Sequence, residues 1–286
     1  MAEPTAFELD QTGKIDLTDI YDRPDPRHYY RTLAKLDYRI PAAAEPLFRA
    51  AITARRALRG ERPMTVFDVG CSYGVNAAIL KQGVDLSDLF ALYGTVGPDS
   101  RRELVARDRA FFAARDGDPD LSVIGLDTAE NAVSYACDAG VMDGGIVADL
   151  ELRPPSERQA ALLADADLVI STGAIGYVGA PTFRRILDHT DAAPWFALFA
   201  LRMFPVDAVA DVLKERGYEV FRLAGKTFRQ RRFASREEAA EVHANLADLG
   251  IDPVGRESEG WYHAEFTFAR PAADAVPDPV ARLAPV

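Results

Sequence analysis

The chain has 286 residues, 48% hydrophobic and 27% charged, with a formal net charge of −11 at pH 7. That length buries one sizeable core and leaves material for a cap or an insertion. The negative charge argues against nucleic acid or an anionic membrane as partner, since both call for cationic surface.

The first twenty residues carry Glu3, Glu8, Asp10 and Asp16, with no basic segment followed by an apolar one. No apolar run reaches the roughly 20 residues of a membrane span, so a cytoplasmic protein is expected. Residues 1–60 read as an N-terminal helical cap. Turn formers and tyrosines crowd 19–30, a helix follows, and a second is expected over 46–58 with a stop at Gly60. From Thr65 short apolar runs alternate with helical stretches, the βαβ pattern. Residues 65–70 form the first strand and 75–82 its helix.

Residues 84–117 fit no simple crossover and read as a helical insertion, a candidate substrate lid, in which Arg102, Glu103 and Asp108 lie on a solvated face. Strands follow at 121–127, 144–149, 166–171 and 195–201, and helices at 129–139, 156–164, 182–189 and 206–216. A sixth strand is expected from Tyr218 on through Phe228, and Arg229-Gln230-Arg231-Arg232 reads as a solvated strand end or loop. A helix over 236–249 leads to the last strand, 262–268, with Tyr262, Ala264, Phe266 and Phe268 on one face. The expected architecture is α/β: a doubly wound, mostly parallel seven-stranded sheet spanning 61–271, followed by a mobile Pro- and Ala-rich tail over 272–286.

Cys71 and Cys137 offer neither a disulfide framework nor metal-ligand spacing. His28, His189, His243 and His263 show no HxxxH or HxH spacing, so no metal site is expected. The informative run is Asp68-Val-Gly70-Cys71-Ser72-Tyr-Gly74, placed between a strand and a helix. Its glycines permit a tight turn and a close approach of backbone N–H groups to a ligand, where the helix dipole favours negative charge. Cys71 reads as a small packed side chain of that loop. Carboxylates close two later strands, Asp127 in Val-Ile-Gly-Leu-Asp and Asp149 in Ile-Val-Ala-Asp-Leu150. Each is also a candidate for an ordinary helix cap or turn.

On these residues the chain resembles the class I S-adenosylmethionine-dependent methyltransferases, whose loop is acidic-x-Gly-x-Gly-x-Gly; here Ser72 stands at the middle glycine. The resemblance implies a Rossmann-like fold and S-adenosylmethionine as cofactor. It assigns the cofactor's methionine part to Asp68 and the loop of Gly70, Cys71, Ser72 and Gly74. Asp127 would hold the ribose hydroxyls, since a carboxylate matches a cis-diol. Asp149 would face the adenine amino group, with Leu150 against the ring, and Ser171-Thr-Gly173 would close one wall. The insertion sets Asp127 farther downstream than the about 20 residues typical of a dinucleotide fold.

The Asn/Asp-Pro-Pro-Tyr/Phe motif of enzymes that methylate amino groups in DNA or protein is missing after the fourth strand. The expectation is therefore methyl transfer to oxygen, carbon or sulfur of a small molecule, with Tyr177, Tyr29, Tyr30 and His28 as candidate active-site residues. Two alternatives stay open. One is a non-methylating enzyme of the same cofactor, such as a cyclase giving azetidine-2-carboxylate and methylthioadenosine. The other is a non-catalytic binding module. A homodimer is compatible with either.

Overall fold

In the first strand, β1 (Met64–Val69), alternate side chains serve different cores: Val66 packs into the larger apolar cluster and Phe67 and Val69 into the smaller. A strand buried on both faces must be almost wholly apolar, which explains why Asp68 stands out in it. The computed structural model describes residues 18–60, 62–95, 97 and 100–274. Most of the tail expected to be mobile, 275–286, lies outside the described residues, as do 1–17 of the N-terminal region.

Strands β2 (Leu121–Asp127), β3 (Gly144–Val147), β4 (Leu168–Thr172) and β5 (Trp195–Leu201) run parallel to β1. The sheet continues through β6 (Tyr218–Arg222), β7 (Phe228–Arg232) and β8 (Trp261–Pro271). The order is β3-β2-β1-β4-β5-β8-β6, with β7 on β8 off that path. β8 is antiparallel to both β5 and β6 and is long enough, at 11 residues, to pair with β6 along one half and β7 along the other.

The single strand expected over 218–228 is thus two. Gly225, at φ 75°, turns the chain between them, a conformation that side chains with a Cβ adopt only at a cost.

Helices α8 (Glu157–Leu163), α9 (Ala180–Asp188) and α10 (Asp207–Glu215) cover one face through Leu163, Phe183, Ile186, Val209 and Leu213. The other face carries α3 (Ile40–Arg59), α4 (Val75–Leu80) and α7 (Glu130–Asp138). α3 begins six residues before the expected start. Pro41 occupies its first turn, where no N–H is needed, and the buried stripe Ile40, Ala44, Leu47, Phe48, Ala51 carries the helix through Pro46.

The segment between α4 and β2 holds α5 (Leu86–Gly94) and α6 (Arg101–Ala113). Arg102 and Glu103 are exposed, but Asp108 is not on a solvated face. It is fully buried and accepts hydrogen bonds from Tyr93 (2.7 Å), Tyr135 (2.6 Å) and Arg107 Nε (2.7 Å). The inserted helices are therefore bolted to α7 by a charged group with every side satisfied.

The run 229–232 is likewise not wholly solvated. A register shift in β7 turns two consecutive side chains, Gln230 and Arg231, inward. Arg231 is paired in the interior with Glu238 of α11 (Arg236–Asp248), at 2.7 Å. Arg39 N donates to Gln230 O (2.8 Å) and Arg232 N to Leu36 O (2.7 Å), so the turn between α2 (Arg27–Lys35) and α3 docks on β7. Segments from both halves of the sequence therefore meet at β7.

Candidate functional site

The chain order steps from β1 outward to β2 and β3 on one side and to β4 and β5 on the other, so the crevice lies at the carboxyl ends of β1 and β4. Both loops there are tightly held. Gly70 N and Cys71 N donate to Leu126 O at 2.8 and 3.1 Å, pinning the loop to the end of β2. Gly70 sits at φ 77°, and a Cβ on it would overlap that of Ala174, in the loop after β4. Ser72 takes the left-handed region too, at φ 48°, despite carrying a side chain. Holding a residue with a Cβ in that region costs about 1–2 kcal/mol.

Asp127 compensates that strain: its Oδ2 accepts from Ser72 N at 2.8 Å and its Oδ1 from Ala129 N at 3.0 Å. Burial raises its carboxyl above the usual range, and the Ala129 and Ser72 N–H groups oppose the rise. Ser72 Oγ is buried without a hydrogen-bond partner.

Asp68 is fully buried, with Asn76 Nδ2 3.1 and 3.2 Å from its two oxygens. Burial lifts its carboxyl to about 7 against the pull of Asn76, and the negative Asp127 adds to the rise. Asn76 Nδ2 also donates to Thr172 Oγ1 (3.0 Å), and Thr172 is hydrogen-bonded to Tyr38, which joins Tyr29. Among the described residues neither Asp68 nor Asp127 has a lysine or arginine partner.

The other expected positions differ in character. Asp149 is exposed and closes a turn by accepting from Glu151 N (2.9 Å) and Leu152 N (3.2 Å). Leu150 packs beneath it in the smaller core, and Ser171 Oγ is occupied by Val69 O at 2.9 Å, clamping β4 to β1. Gly74 caps α4. Cys71 is buried against Gly125, where a Cβ would come within 2.5 Å of its sulfur; burial pushes the thiol up, and it serves as packing.

The N-terminal tyrosines form an aromatic stack. Tyr29 lies 5.4 Å from Tyr73, and Tyr30 stacks on Tyr93 at 4.5 Å. Both are buried, with phenols raised by desolvation, while His28 is exposed. Tyr73 Oη donates to Arg23 O (2.7 Å) and receives Arg23 N (2.9 Å), and Asp22 Oδ1 accepts from Asn131 N at 2.7 Å. Residues 22–23 thus strap the loop after β1 to the helix after β2. Tyr177 stands half-exposed against Phe204, ring centroids 6.5 Å apart.

Asn76 and Tyr38 belong to this region and were not singled out from sequence, while Thr172 was expected only as part of the 171–173 wall and Gln230 only within a solvated run. Asn76, two residues past Gly74 and facing back to Asp68, had a readable signal; the place of Tyr38 depends on tertiary contact. The set fits a ligand that carries positive charge: the buried Asp68 and the partly buried Asp127, neither with a lysine or arginine partner among the described residues, and an unpaired hydroxyl on Ser72. Among the described residues no cluster of His, Cys, Asp and Glu is arranged for a metal ion.

The decisive feature is the strand order of the eight-stranded sheet, in which β8 lies between β5 and β6 and runs antiparallel to them and to β7, with an acid-glycine loop after β1. The fold is a Rossmann-like, doubly wound α/β sheet. No family model matches the chain, and no curated protein matches its sequence. Solved structures are similar to it in fold. A TehB-like SAM-dependent methyltransferase from Corynebacterium glutamicum is 15% identical over 75% of this chain and 86% of its own, with TM-score 0.38. The YcgJ protein from Bacillus subtilis is 10% identical over 78% and 97%, with TM-score 0.42. An O-methyltransferase from a trans-AT PKS multienzyme of Brevibacillus brevis, in complex with S-adenosyl-L-homocysteine, is 10% identical over 99% and 88%, with TM-score 0.40.

Proposed function

We propose that this chain binds S-adenosylmethionine at the carboxyl ends of β1 and β2 and transfers its methyl group to a small molecule. The observation that carries the reading is the pair Asp68 and Asp127, carboxyl groups on adjacent strands, the first fully buried and the second partly buried, both raised by desolvation and neither with a lysine or arginine partner among the described residues. An arrangement so costly in isolation is expected where a ligand supplies the missing charge.

Asp68 would receive the ammonium of the cofactor's amino acid part, and Asp127 its ribose hydroxyls. Asp149, whose Oδ1 closes the turn after β3, would face the adenine with its other oxygen. When bound, the cofactor supplies a methyl carbon activated by its sulfonium. The chain itself supplies position and exclusion of water: the strap at 22–23 and the tyrosine stack cover the loop after β1, and the loop ending in Tyr177 borders the side from which an acceptor approaches.

The test is a thermal-shift titration with S-adenosylmethionine and S-adenosylhomocysteine, with mass spectrometry of the incubated mixture. Ligand at about 100 times its dissociation constant adds about 2.7 kcal/mol of stability. Absence of a shift with either compound overturns the reading. Methylthioadenosine formed without an acceptor replaces methyl transfer by cyclisation of the cofactor.

A further inference from the structure

Every residue of β8 from Trp261 to Arg270 is buried except Glu265. Its neighbours on the same face of the strand, His263 and Thr267, are 6% and 3% exposed. Beside Glu265 the sheet has a gap: Arg222, the last residue of β6, pairs with Thr267, and Phe228, the first of β7, pairs with Ala264. A cleft of about 220 Å³ opens there, next to the carboxyl end of β5, and Glu265 lines it. A charged side chain on an inner strand is thus reached through a breach in its cover.

Leu201, Phe204, Leu249 and Ile251 give the cleft apolar walls. Two guanidiniums also line it, and each is already engaged. Arg202 donates to Glu257 at 2.5 Å and to Asp252 O at 3.0 Å, and Arg222 to Asp207 at 2.7 Å. The Glu265 carboxylate makes no hydrogen bond among the described residues. Its ion pair with Arg202 Nε, at 3.7 Å, is too long for one. Two cations therefore face three carboxylates, and the surplus negative charge rests on Glu265. Apolar walls with one unmatched charged group are what orients a small ligand.

We propose that this cleft binds a small amphiphilic amine, its ammonium on the Glu265 carboxylate and its apolar body against Leu201, Phe204 and Ile251. A cavity of about 150 Å³ admits benzene, so the larger volume here takes one ring with a short chain. A carboxylate-bearing ligand would meet Glu265 and Asp207 as like charges, and a hydroxyl would form a weaker bond than an ammonium does. The site is separate from the crevice at β1 and β4 and does not depend on the cofactor reading. Phe204 adjoins both regions, since Tyr177 of the loop after β4 lies against its ring.

The probes are 2-phenylethylamine, 2-phenylethanol and 3-phenylpropionate, titrated into the full chain at about pH 7 and followed by ligand-observed NMR. The amine should bind saturably and about tenfold more tightly than the alcohol, the factor expected for one charge-assisted contact, with the acid weakest. Glu265→Gln should bring the amine down to the affinity of the alcohol; Glu265→Ala serves if the glutamine variant fails to fold. Equal affinity of amine and alcohol for the unmodified chain, or no saturable binding of the amine, overturns the proposal without any variant. So does a preference that survives both substitutions, which would put the ammonium on another carboxylate such as Asp68.

Discussion

The backbone N–H of Ser72 and the carboxylate of Asp127 meet at 2.8 Å, joining the loop after β1 to the end of β2. One oxygen holds the strained Ser72 and the other caps Ala129, so a single side chain serves loop geometry and helix start together. Asp127→Ala leaves two buried-side donors unpaired and should cost about 2–4 kcal/mol of stability. It should also weaken S-adenosylhomocysteine by at least tenfold. Denaturant melts alongside ligand titrations check both, and unchanged ligand affinity would remove Asp127 from the binding site.

Asp68 makes stability depend on pH with a definite sign. Its ordinary value is 3.8 and the folded chain raises it to about 7. Between those values the native state holds a proton that the unfolded chain has lost. Stability from this group is therefore full below about pH 4, falls as pH rises to about 7, and is level above. The span is on the order of 4 kcal/mol. Asp68→Asn should abolish that slope. Binding of an ammonium at Asp68 favours the ionised form, so S-adenosylhomocysteine should bind more tightly at pH 7.5 than at pH 5.5. A flat dependence of affinity on pH would show that the ammonium sits elsewhere.

Gly70 and Ala174 are matched across the crevice. Gly70→Ala places a methyl group on that of Ala174 and strains a φ of 77°. The substitution should destabilise the chain by about 2–4 kcal/mol. Ala174→Gly should restore part of the loss, with a coupling of about 0.5–3 kcal/mol in a double-mutant cycle. Strict additivity would mean that the two loops do not touch in solution.

Asp108 anchors the inserted helices. Asp108→Ala strands two tyrosine hydroxyls and one guanidinium N–H, for a loss of about 3–5 kcal/mol. Hydrogen exchange should then rise over 86–113 before it rises in β1 or β4. A uniform rise across the sheet would show that the insertion is not a separate unit of stability.

Much of the sheet is legible in sequence, because strands such as 121–127 and 195–201 are short apolar runs bracketed by polar or glycine turns, and the structure bounds both identically. Asp68 and Asp127 are legible for the same reason, each a lone acid closing such a run. Asp108 was hidden because a buried charge on a polar helix has the same local sequence as a solvated one. Only the two tyrosines, one 15 residues before and one 27 after, mark it as interior. Arg231 and Gln230 were obscured by a register shift in β7, which breaks the alternation that periodicity depends on. Tyr38 and Thr172 meet only after the cap has docked.

β8 lies between β5 and β6, yet it is made after both. Until Trp261–Pro271 leaves the ribosome, β5 has no partner on that side, and apolar residues including Phe199 flank an open edge. The nascent chain thus carries an unpaired, wholly apolar strand through the synthesis of about sixty residues, a template for pairing with another chain. Truncations that end before Trp261 should emerge as aggregates or chaperone clients rather than as smaller folded proteins, because β8 is what closes the edge of β5.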